Sequence, residues 1–439
     1  MRQENCDVLV LGSGIGGLCS AALLAHKGYK VLVVEKLPLI GGRCSTVDYK
    51  GFKIPTGVLG VPGGGPFREV FEEVGAEYDA RPSPQGKYVM NGRELKVPDK
   101  GGFRAVLSQL CENDAEITRV LDAMRRADKW EDPSNEISLS NWVLQYTKNE
   151  KLLGFFKNLC AMYAITEAHE TSAKDFFRIR RLMIRSYGQV HFAPKGNIAL
   201  MESLAKVIKS KNSDVRTGCR ARQIKVSDGV VVGAIIEDSQ GELEIAAKVV
   251  ISNVGPKVTV DLAGRHNFDE GHLKEVDSMR PTFQMWVTTV SDRNFFDTQV
   301  SFLGTRRVLN CINPTLVCPE LAPSGKHIHH SVSGPHAQFD TWNPKEEIDI
   351  HIQDLKNYIP GFDEHGEVLH VGCYWGDWPT TRNSPYVGYS PLSQKTPVEN
   401  LYNVGDGVGP RGWPSGTSGC AVTARIVVED IEKRLELGI

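Results

Sequence analysis

The chain has 439 residues, a net charge of −2 at pH 7, 41% hydrophobic residues and 24% charged residues. This length exceeds what one ordinary core supports, so we expect two domains of a soluble globular protein. The balanced charge excludes an electrostatic basis for nucleic-acid binding, and no apolar run reaches the ~18 residues of a transmembrane helix.

The cysteines exclude further classes of protein. Ten cysteines occur singly, with no Cys-x-x-Cys pair, which argues against a disulfide scaffold and against zinc or iron–sulfur ligation. The N-terminal residues lead directly into an apolar strand without the flanks of a signal peptide. We therefore predict a cytoplasmic protein.

The N-terminal segment predicts a dinucleotide-binding βαβ unit. An apolar strand (7–11) runs into Gly-Ser-Gly-Ile-Gly-Gly (12–17), then a helix of small residues (18–27), a second strand (30–34) and an acidic residue. In this Gly-x-Gly-x-x-Gly arrangement the glycines allow a tight turn, close approach of a pyrophosphate and close helix packing, while the acid binds ribose hydroxyls. The helix N-terminus attracts phosphate. The predicted cofactor residues here are Gly12, Gly14, Ile15, Gly16, Gly17, Glu35 and Lys36.

The next segment favours FAD over a nicotinamide cofactor. A Gly-Gly-Arg sequence (41–43) follows the second strand. It brings further backbone N–H groups and one guanidinium near a diphosphate, and a guanidinium binds phosphate in a bidentate manner. We therefore add Gly42 and Arg43 to the predicted cofactor residues.

From these motifs the chain resembles the flavin-containing amine oxidase superfamily, and within it the phytoene desaturase and carotenoid isomerase branch. The resemblance also rests on residues 192–200, where Asn197 replaces the second glycine of Pro-x-Gly-Gly, on residues 321–327, and on the C-terminal block 400–419. Pro55 departs from the pattern, because many family members have an aspartate there.

The resemblance implies roles for several further residues. Gly405 and Asp406 would hold the ribityl-phosphate region of FAD, and the turn with Trp413, Gly416 and Thr417 would lie under the pyrimidine edge of the flavin. Val215 would contact the adenine through its backbone. The remaining predicted cofactor residues lie beside the flavin face: Gly57, Val58 and Leu59.

The motifs at both termini predict a discontinuous cofactor domain. The expected fold class is α/β, an FAD-binding Rossmann-like domain of the glutathione reductase type with an inserted α+β substrate domain. We assign residues 1–65, 190–256 and 365–439 to the FAD-binding domain, and residues 66–189 and 257–364 to the substrate-binding domain. Apolar residues at helical spacing dominate the first insert, and strand-like segments dominate the second.

The leading functional hypothesis is an FAD-dependent desaturase or dehydrogenase that transfers a hydride from an apolar small molecule, isoprenoid-like or alicyclic, to flavin N5. The motif segments near the flavin contain three candidate catalytic residues, His191, Arg411 and Trp413. We predict no metal site, because His327 and His329 share one strand face while His330 points away.

Three alternatives remain open at this stage. A flavin amine oxidase would need an aromatic cage, for which Tyr374, Trp375, Trp378 and Trp413 are candidates. A flavin-dependent isomerase would show no net oxidation. A flavoprotein subunit of a hetero-oligomeric dehydrogenase would turn over only with its partner. The sequence names no electron acceptor, and it leaves open a homo- or hetero-oligomer and a peripheral membrane contact.

Overall fold

The computed structural model describes residues 2–97, 102–130, 136–279, 283–334, 343–374, 386–409 and 416–436. The helices are α1 (Ile15–His26), α2 (Pro66–Val74), α3 (Gly102–Leu110), α4 (Asp114–Ala127), α5 (Leu139–Leu144), α6 (Glu150–Ala164), α7 (Ala173–Leu182), α8 (Asn197–Lys209), α9 (Pro256–Ala263), α10 (Glu270–Asp277), α11 (Pro344–Tyr358), α12 (Phe362–His365) and α13 (Thr417–Glu436). Among the described residues, none of these helices is both long and apolar enough to cross a membrane.

The strands form two large sheets, one hairpin and one small sheet. They are β1 (Arg2–Leu11), β2 (Val31–Val34), β3 (Thr46–Tyr49), β4 (Phe52–Pro55), β5 (Val61–Pro62), β6 (Arg81–Pro82), β7 (Lys87–Met90), β8 (Arg93–Leu95), β9 (Val190–Phe192), β10 (Asp214–Arg216), β11 (Arg220–Ser227), β12 (Val230–Asp238), β13 (Gly241–Ser252), β14 (Gln284–Ser291), β15 (Val300–Leu303), β16 (Val308–Ile312), β17 (His327–Ser333), β18 (Glu367–Tyr374) and β19 (Leu401–Asn403).

The first sheet has the order β10-β2-β1-β13-β12-β11, and β19 pairs with the C-terminal part of β13. Strands β10, β2, β1, β13 and β19 run parallel, whereas β11 and β12 form an antiparallel extension. Helices α1, α8 and α13 contribute to the core on one face, and α9 and α10 to the core on the other. The apolar runs of β1 and β2 follow from this burial on both faces.

The register of the parallel strands aligns their carboxyl ends. Leu11 of β1 pairs with Val34 of β2 and with Ser252 of β13, and Ser252 pairs with Asn403 of β19. Each of these residues is the last of its strand. The segments that follow all four strands therefore begin at the same edge of the sheet.

The second sheet has the order β18-β14-β17-β16-β15-β7-β8. Helices α11 and α12 contribute to the core on one face. Helices α3–α7 form a separate apolar cluster that β8 and β15 complete. The helices predicted in residues 66–189 are confirmed, but the β7–β8 hairpin inside that segment is absent from the prediction, because it is short and half-buried.

The α/β fold with an inserted second sheet is the one predicted. Several elements, however, pack in a different core from the one that the predicted domain boundaries assign to them. Helix α2, assigned to the substrate domain, packs in the core around α1 and α13. Helices α9 and α10 likewise pack on the first sheet. Strand β18, assigned to the FAD-binding domain, pairs with β14 in the second sheet. The reason is that periodicity shows which face of an element is apolar, but not which of the two sheets covers that face.

Three histidines are buried at the second sheet, His329 and His330 on β17 and His351 on helix α11, which packs against it. The imidazoles of His329, His330 and His351 are hydrogen-bonded to Ser291, Thr288 and Ser331, at 3.1, 3.0 and 2.8 Å. Burial lowers the pKa of His329 and of His351 to about 4 and that of His330 to about 3. These imidazoles are therefore neutral packing groups, and no cluster of metal-ligating side chains occurs within the described ranges.

We predict that the protein loses stability as the pH falls from about 6.5 to about 4. In this window the unfolded chain binds protons that the buried imidazoles do not, so the free energy of unfolding decreases. Urea denaturation across this pH range should show the decrease, with about 3 kcal/mol attributable to His351 at ~1.4 kcal/mol per pKa unit. His351→Gln should reduce the pH dependence, and an equal slope in both proteins would contradict the prediction.

Candidate functional site

The glycine-rich turn after β1 is held between strand β2 and helix α1. The Gly12 N–H donates to the Val34 carbonyl at 2.8 Å, and its φ of 94° lies in the region that favours glycine. A Cβ on Gly17 would overlap the Gly12 carbonyl oxygen, so the helix can sit this close to the turn only with glycine. Helix α1 begins at Ile15, which is buried, and no side chain caps it at Gly14.

The Glu35 carboxylate lies at the end of β2, where it is buried. It accepts hydrogen bonds from the Ser13 N–H at 2.9 Å, from the Ser13 hydroxyl at 2.8 Å and from the Leu37 N–H at 3.0 Å. These contacts orient an acidic group beside the glycine-rich turn, as ribose binding requires. Lys36, the next predicted residue, is exposed.

The two terminal motifs meet in an ion pair. Arg43 Nη2 lies 2.9 Å from Asp406 Oδ2, and the Asp406 side chain is only 7% exposed. The other oxygen of Asp406 accepts the Gly416 N–H at 2.6 Å, directly before helix α13 begins at Thr417. One carboxylate therefore joins the Gly-Gly-Arg segment to the start of the C-terminal helix.

The segment predicted to lie beside the flavin face is tied to the Gly-Gly-Arg segment. The Thr56 hydroxyl donates to the Gly42 carbonyl at 2.8 Å, and the Val58 N–H donates to the Arg43 carbonyl at 2.8 Å. The Asn197 amide donates to the Val58 carbonyl at 2.5 Å. Asn197, which departs from the family pattern, therefore holds this segment against helix α8, while Gly57 and Leu59 are half-buried beside it.

Asn253, directly after β13, lies at this site and is not among the residues that the sequence analysis predicts. A Cβ on Gly14 would lie 2.5 Å from its Nδ2, one on Gly16 would lie 2.8 Å from its Oδ1, and one on Gly405 would overlap its Oδ1. The carboxamide thus lies between the N-terminal glycine turn and the C-terminal Gly-Asp. The available signal is its position after a buried parallel strand, where ligand-binding residues concentrate.

The structure describes only some of the remaining predicted residues. Val215 is buried on β10 next to Val33, and its N–H donates to Asp214 Oδ1 at 2.8 Å. The candidate catalytic residues Arg411 and Trp413 lie outside the described residues, as do Trp375 and Trp378 of the candidate aromatic cage. The cofactor and catalytic roles assigned from the sequence stay predictions.

The third candidate catalytic residue, His191, lies in the small sheet of β5, β9 and β6. Its Nδ1 is hydrogen-bonded to the Ala80 carbonyl at 3.2 Å, and a Cβ on Gly63 would lie 2.5 Å from its Nε2. Burial lowers its pKa, against the effect of the Ala80 carbonyl. These contacts fit a strand residue that connects two loops. His191 is not among the residues that line the cleft described in the next paragraph.

A cleft of about 530 Å³ lies between the β3–β4 hairpin and the second sheet. The Tyr374 hydroxyl donates to the Thr56 carbonyl, and the Tyr374 ring centroid lies 5.4 Å from the Arg43 guanidinium carbon. The cleft therefore adjoins the Arg43–Asp406 pair through the Tyr374 ring. Its lining residues are Val47, Asp48, Tyr49, Ile54, Pro55, Thr56, Trp286, Leu369, His370, Val371, Gly372, Cys373 and Tyr374.

The residues present fit a dinucleotide. Gly42 lies next to the first turn, since a Cβ on it would be in van der Waals contact with Gly14 Cα at 3.5 Å, and its φ of 55° lies in the region that favours glycine. A buried acid, a guanidinium and a helix N-terminus without side-chain cap surround this position. This is the donor and acceptor set that binds ribose and pyrophosphate.

We predict that Glu35→Ala and Asp406→Ala each weaken FAD binding about ten- to hundredfold. Each change removes a charged hydrogen-bonding group, which contributes ~1.5–3 kcal/mol. The ratio of flavin to protein after gel filtration, and a Kd from reconstitution, measure the effect. Asp277→Ala, which removes an exposed ion pair with Arg265, is the matched control. Full flavin content in both test variants would overturn these assignments.

We predict that Asn253→Ala weakens FAD binding about five- to tenfold, because the two motif turns lose the polar group between them. Asn267→Ala is the control, since that side chain donates to the Ala263 carbonyl on α9, remote from the glycine turn. Flavin release measured by fluorescence distinguishes the two variants. Equal flavin affinity in the two would show that Asn253 only fills space.

The chain is similar to one protein family and to several individual proteins. The model of the flavin containing amine oxidoreductase family matches residues 15–432. The crystal structure of an oxidoreductase from Methanosarcina mazei is similar, with a TM-score of 0.84 and 26% identity over 96% of this chain and 100% of that chain.

Two curated proteins are also similar in sequence. An uncharacterized protein of Methanocaldococcus jannaschii is 26% identical over 418 residues, 92% of this chain and 94% of that protein. The neurosporene-forming phytoene desaturase of Rhodobacter capsulatus is 27% identical over 282 residues, 56% of this chain and 52% of that protein, so the match spans about half of each. The chain therefore belongs to the flavin containing amine oxidoreductase family and is an FAD-dependent oxidoreductase.

Proposed function

We propose that the protein is a desaturase or dehydrogenase that oxidises an apolar small molecule, isoprenoid-like or alicyclic. The observation that carries this proposal is the cleft between the β3–β4 hairpin and the second sheet, which adjoins the predicted cofactor residues Arg43 and Asp406 through Tyr374. The similarity to a phytoene desaturase supports it, although that match covers only about half of each chain.

The walls of the cleft suit an apolar ligand. Aliphatic and aromatic groups line most of it, with Ile54 and Pro55 on the hairpin and Trp286, Leu369 and Val371 on the sheet. Ile54 and Trp286 are each 2% exposed and form the packed base of the wall, whereas Leu369 and Val371 are half-buried and present apolar surface to the cleft. Concave sites of this composition bind apolar molecules, with a few polar groups that set orientation.

The residues around the cleft can hold a substrate still beside the cofactor. Tyr374 is fixed at both ends, because its hydroxyl is bound to the Thr56 carbonyl and its ring packs on Trp286 with centroids 5.1 Å apart. When bound, FAD supplies hydride acceptance at its N5. Hydride transfer needs a C–H bond held in a dry pocket, and such a fixed apolar wall provides it.

The charged groups near the cleft favour this proposal over oxidation of amines. Asp48 is paired with Lys53 at 3.0 Å, and its side chain is 75% exposed. An ammonium substrate would therefore find a solvated and already paired carboxylate, which contributes little attraction. Oxidation of a neutral substrate requires no such partner.

We predict that the oxidised flavin spectrum bleaches under anaerobic conditions with isoprenoid or alicyclic compounds and not with polyamines or aryl amines. Stopped-flow absorbance near the flavin maximum, with equal concentrations of each compound, measures the reduction. Bleaching by amines alone would replace the proposal with an amine oxidase. Double-bond isomerisation without net bleaching, detected by chromatography of the ligand, would replace it with an isomerase.

A further inference from the structure

We infer that the exposed imidazole of His370 binds a hydroxyl group on the substrate. The substrate class is then an apolar molecule that carries a hydroxyl at the end remote from the oxidised bond, rather than a pure hydrocarbon. This inference rests on the proposed function and deepens it, because it names a polar recognition group at one end of the same cleft.

Three alternate residues of β18 form a row along one wall of the cleft: His370, Gly372 and Tyr374. Successive side chains of a strand point to opposite faces, so these three residues share one face. Gly372 is paired with Trp286 of β14, and a Cβ on Gly372 would overlap the indole ring. The indole therefore covers the middle of the row and leaves His370 and Tyr374 at its two ends.

A β-bulge lies next to His370. The register of β14 and β18 shifts beside the Thr288–His370 pair, so that Leu369 is an extra residue of β18. A bulge bends its strand and changes the direction of the side chains around it. Leu369 belongs to the apolar cluster that includes Ile54 of the β3–β4 hairpin, and both residues line the cleft. The wall beside His370 is therefore apolar, with the hairpin across from it.

The His370 imidazole is accessible and unengaged. His370 is exposed and lines the cleft, and its side chain has no hydrogen-bond partner or ion pair among the residues that the structure describes. Partial burial lowers the pKa of this imidazole below its usual value, so the ring is uncharged at neutral pH. An uncharged imidazole has one donor and one acceptor nitrogen, and a hydroxyl complements both of them.

The other polar side chains of this wall are less suited to bind a ligand. The Tyr374 hydroxyl already donates to the Thr56 carbonyl. Burial raises the pKa of Cys373 to about 11, so its thiol stays protonated and is a weak donor. The indole nitrogen of Trp286 is buried, where a ligand in the cleft does not reach it. His370 is therefore the polar group that this wall offers to a ligand.

The two ends of the row set the length of the substrate. His370 and Tyr374 are four residues apart on one strand, which separates them by ~13 Å. The Tyr374 ring adjoins Arg43, which is paired with Asp406. A hydroxyl bound at His370 would direct the apolar end of the substrate past the Trp286 indole toward these predicted cofactor residues. An extended isoprenoid alcohol of the size of farnesol matches this length.

The test measures Kd on the FAD-loaded protein by isothermal titration calorimetry, in one detergent solution at about pH 8. The probes are farnesol and the hydrocarbon in which a methyl group replaces its hydroxyl. The ratio of the two Kd values is compared between protein variants, because partitioning of the probes into detergent cancels in this comparison. His370→Phe keeps an aromatic ring but removes both ring nitrogens, and should lower the preference for farnesol about five- to tenfold. His370→Gln keeps a donor and an acceptor and should retain part of the preference.

His26→Phe is the control variant, because His26 is exposed at the end of α1 on the first sheet and should leave the ratio unchanged. An unchanged ratio in His370→Phe, or an equal loss of both probes, would overturn the inference while leaving the proposed function in place. Failure of the wild-type protein to bind farnesol would overturn it as well. A flavin that no isoprenoid or alicyclic compound bleaches would overturn the proposed function, and the inference with it.

Discussion

The site depends on the parallel pairing of β2, β1, β13 and β19. Their register places the last residue of each strand in one row, so that Gly12, Glu35, Asn253 and Val404 all begin at the same edge of the sheet. Ligands of open α/β sheets bind at such an edge because the backbone turns there and leaves room between strand ends. A slip of one strand would remove its contribution from the site.

The same edge explains why motifs from opposite ends of the chain act together. The Arg43–Asp406 ion pair and the Asn253 carboxamide both span the space between the N-terminal turn and the C-terminal Gly-Asp. Both contacts depend on the pairing of β13 with β19, which places Asn253 and the Gly-Asp segment side by side. Cofactor binding should therefore stabilise the assembled sheet, since a ligand that binds only the folded state shifts the equilibrium toward it.

Local sequence patterns predict those parts of the site that one continuous segment of the chain forms. The glycine turn, Glu35 and the buried strands around them follow from periodicity and from the conformational freedom of glycine. The structure has them where they are predicted, except that β1 begins at Arg2 and helix α1 at Ile15, earlier than the predicted residues 7 and 18. The contacts of Asn253, Thr56 and Trp286 connect segments that are distant in sequence. No single segment contains that information, because it lies in the register between segments. The division of α2 and β18 between the two sheets has the same origin.

Hydrogen bonds and ring packing connect the wall of the cleft to the edge of the first sheet where the predicted cofactor residues lie. Thr56 is bound to Gly42 on the cofactor side, while its carbonyl accepts the Tyr374 hydroxyl on the cleft side. Tyr374 in turn packs against both Arg43 and Trp286. A shift of the second sheet relative to the first would therefore disturb the Gly-Gly-Arg segment as well as the cleft. For a reaction that depends on the distance between a substrate and its cofactor, this coupling fixes that distance through the fold itself.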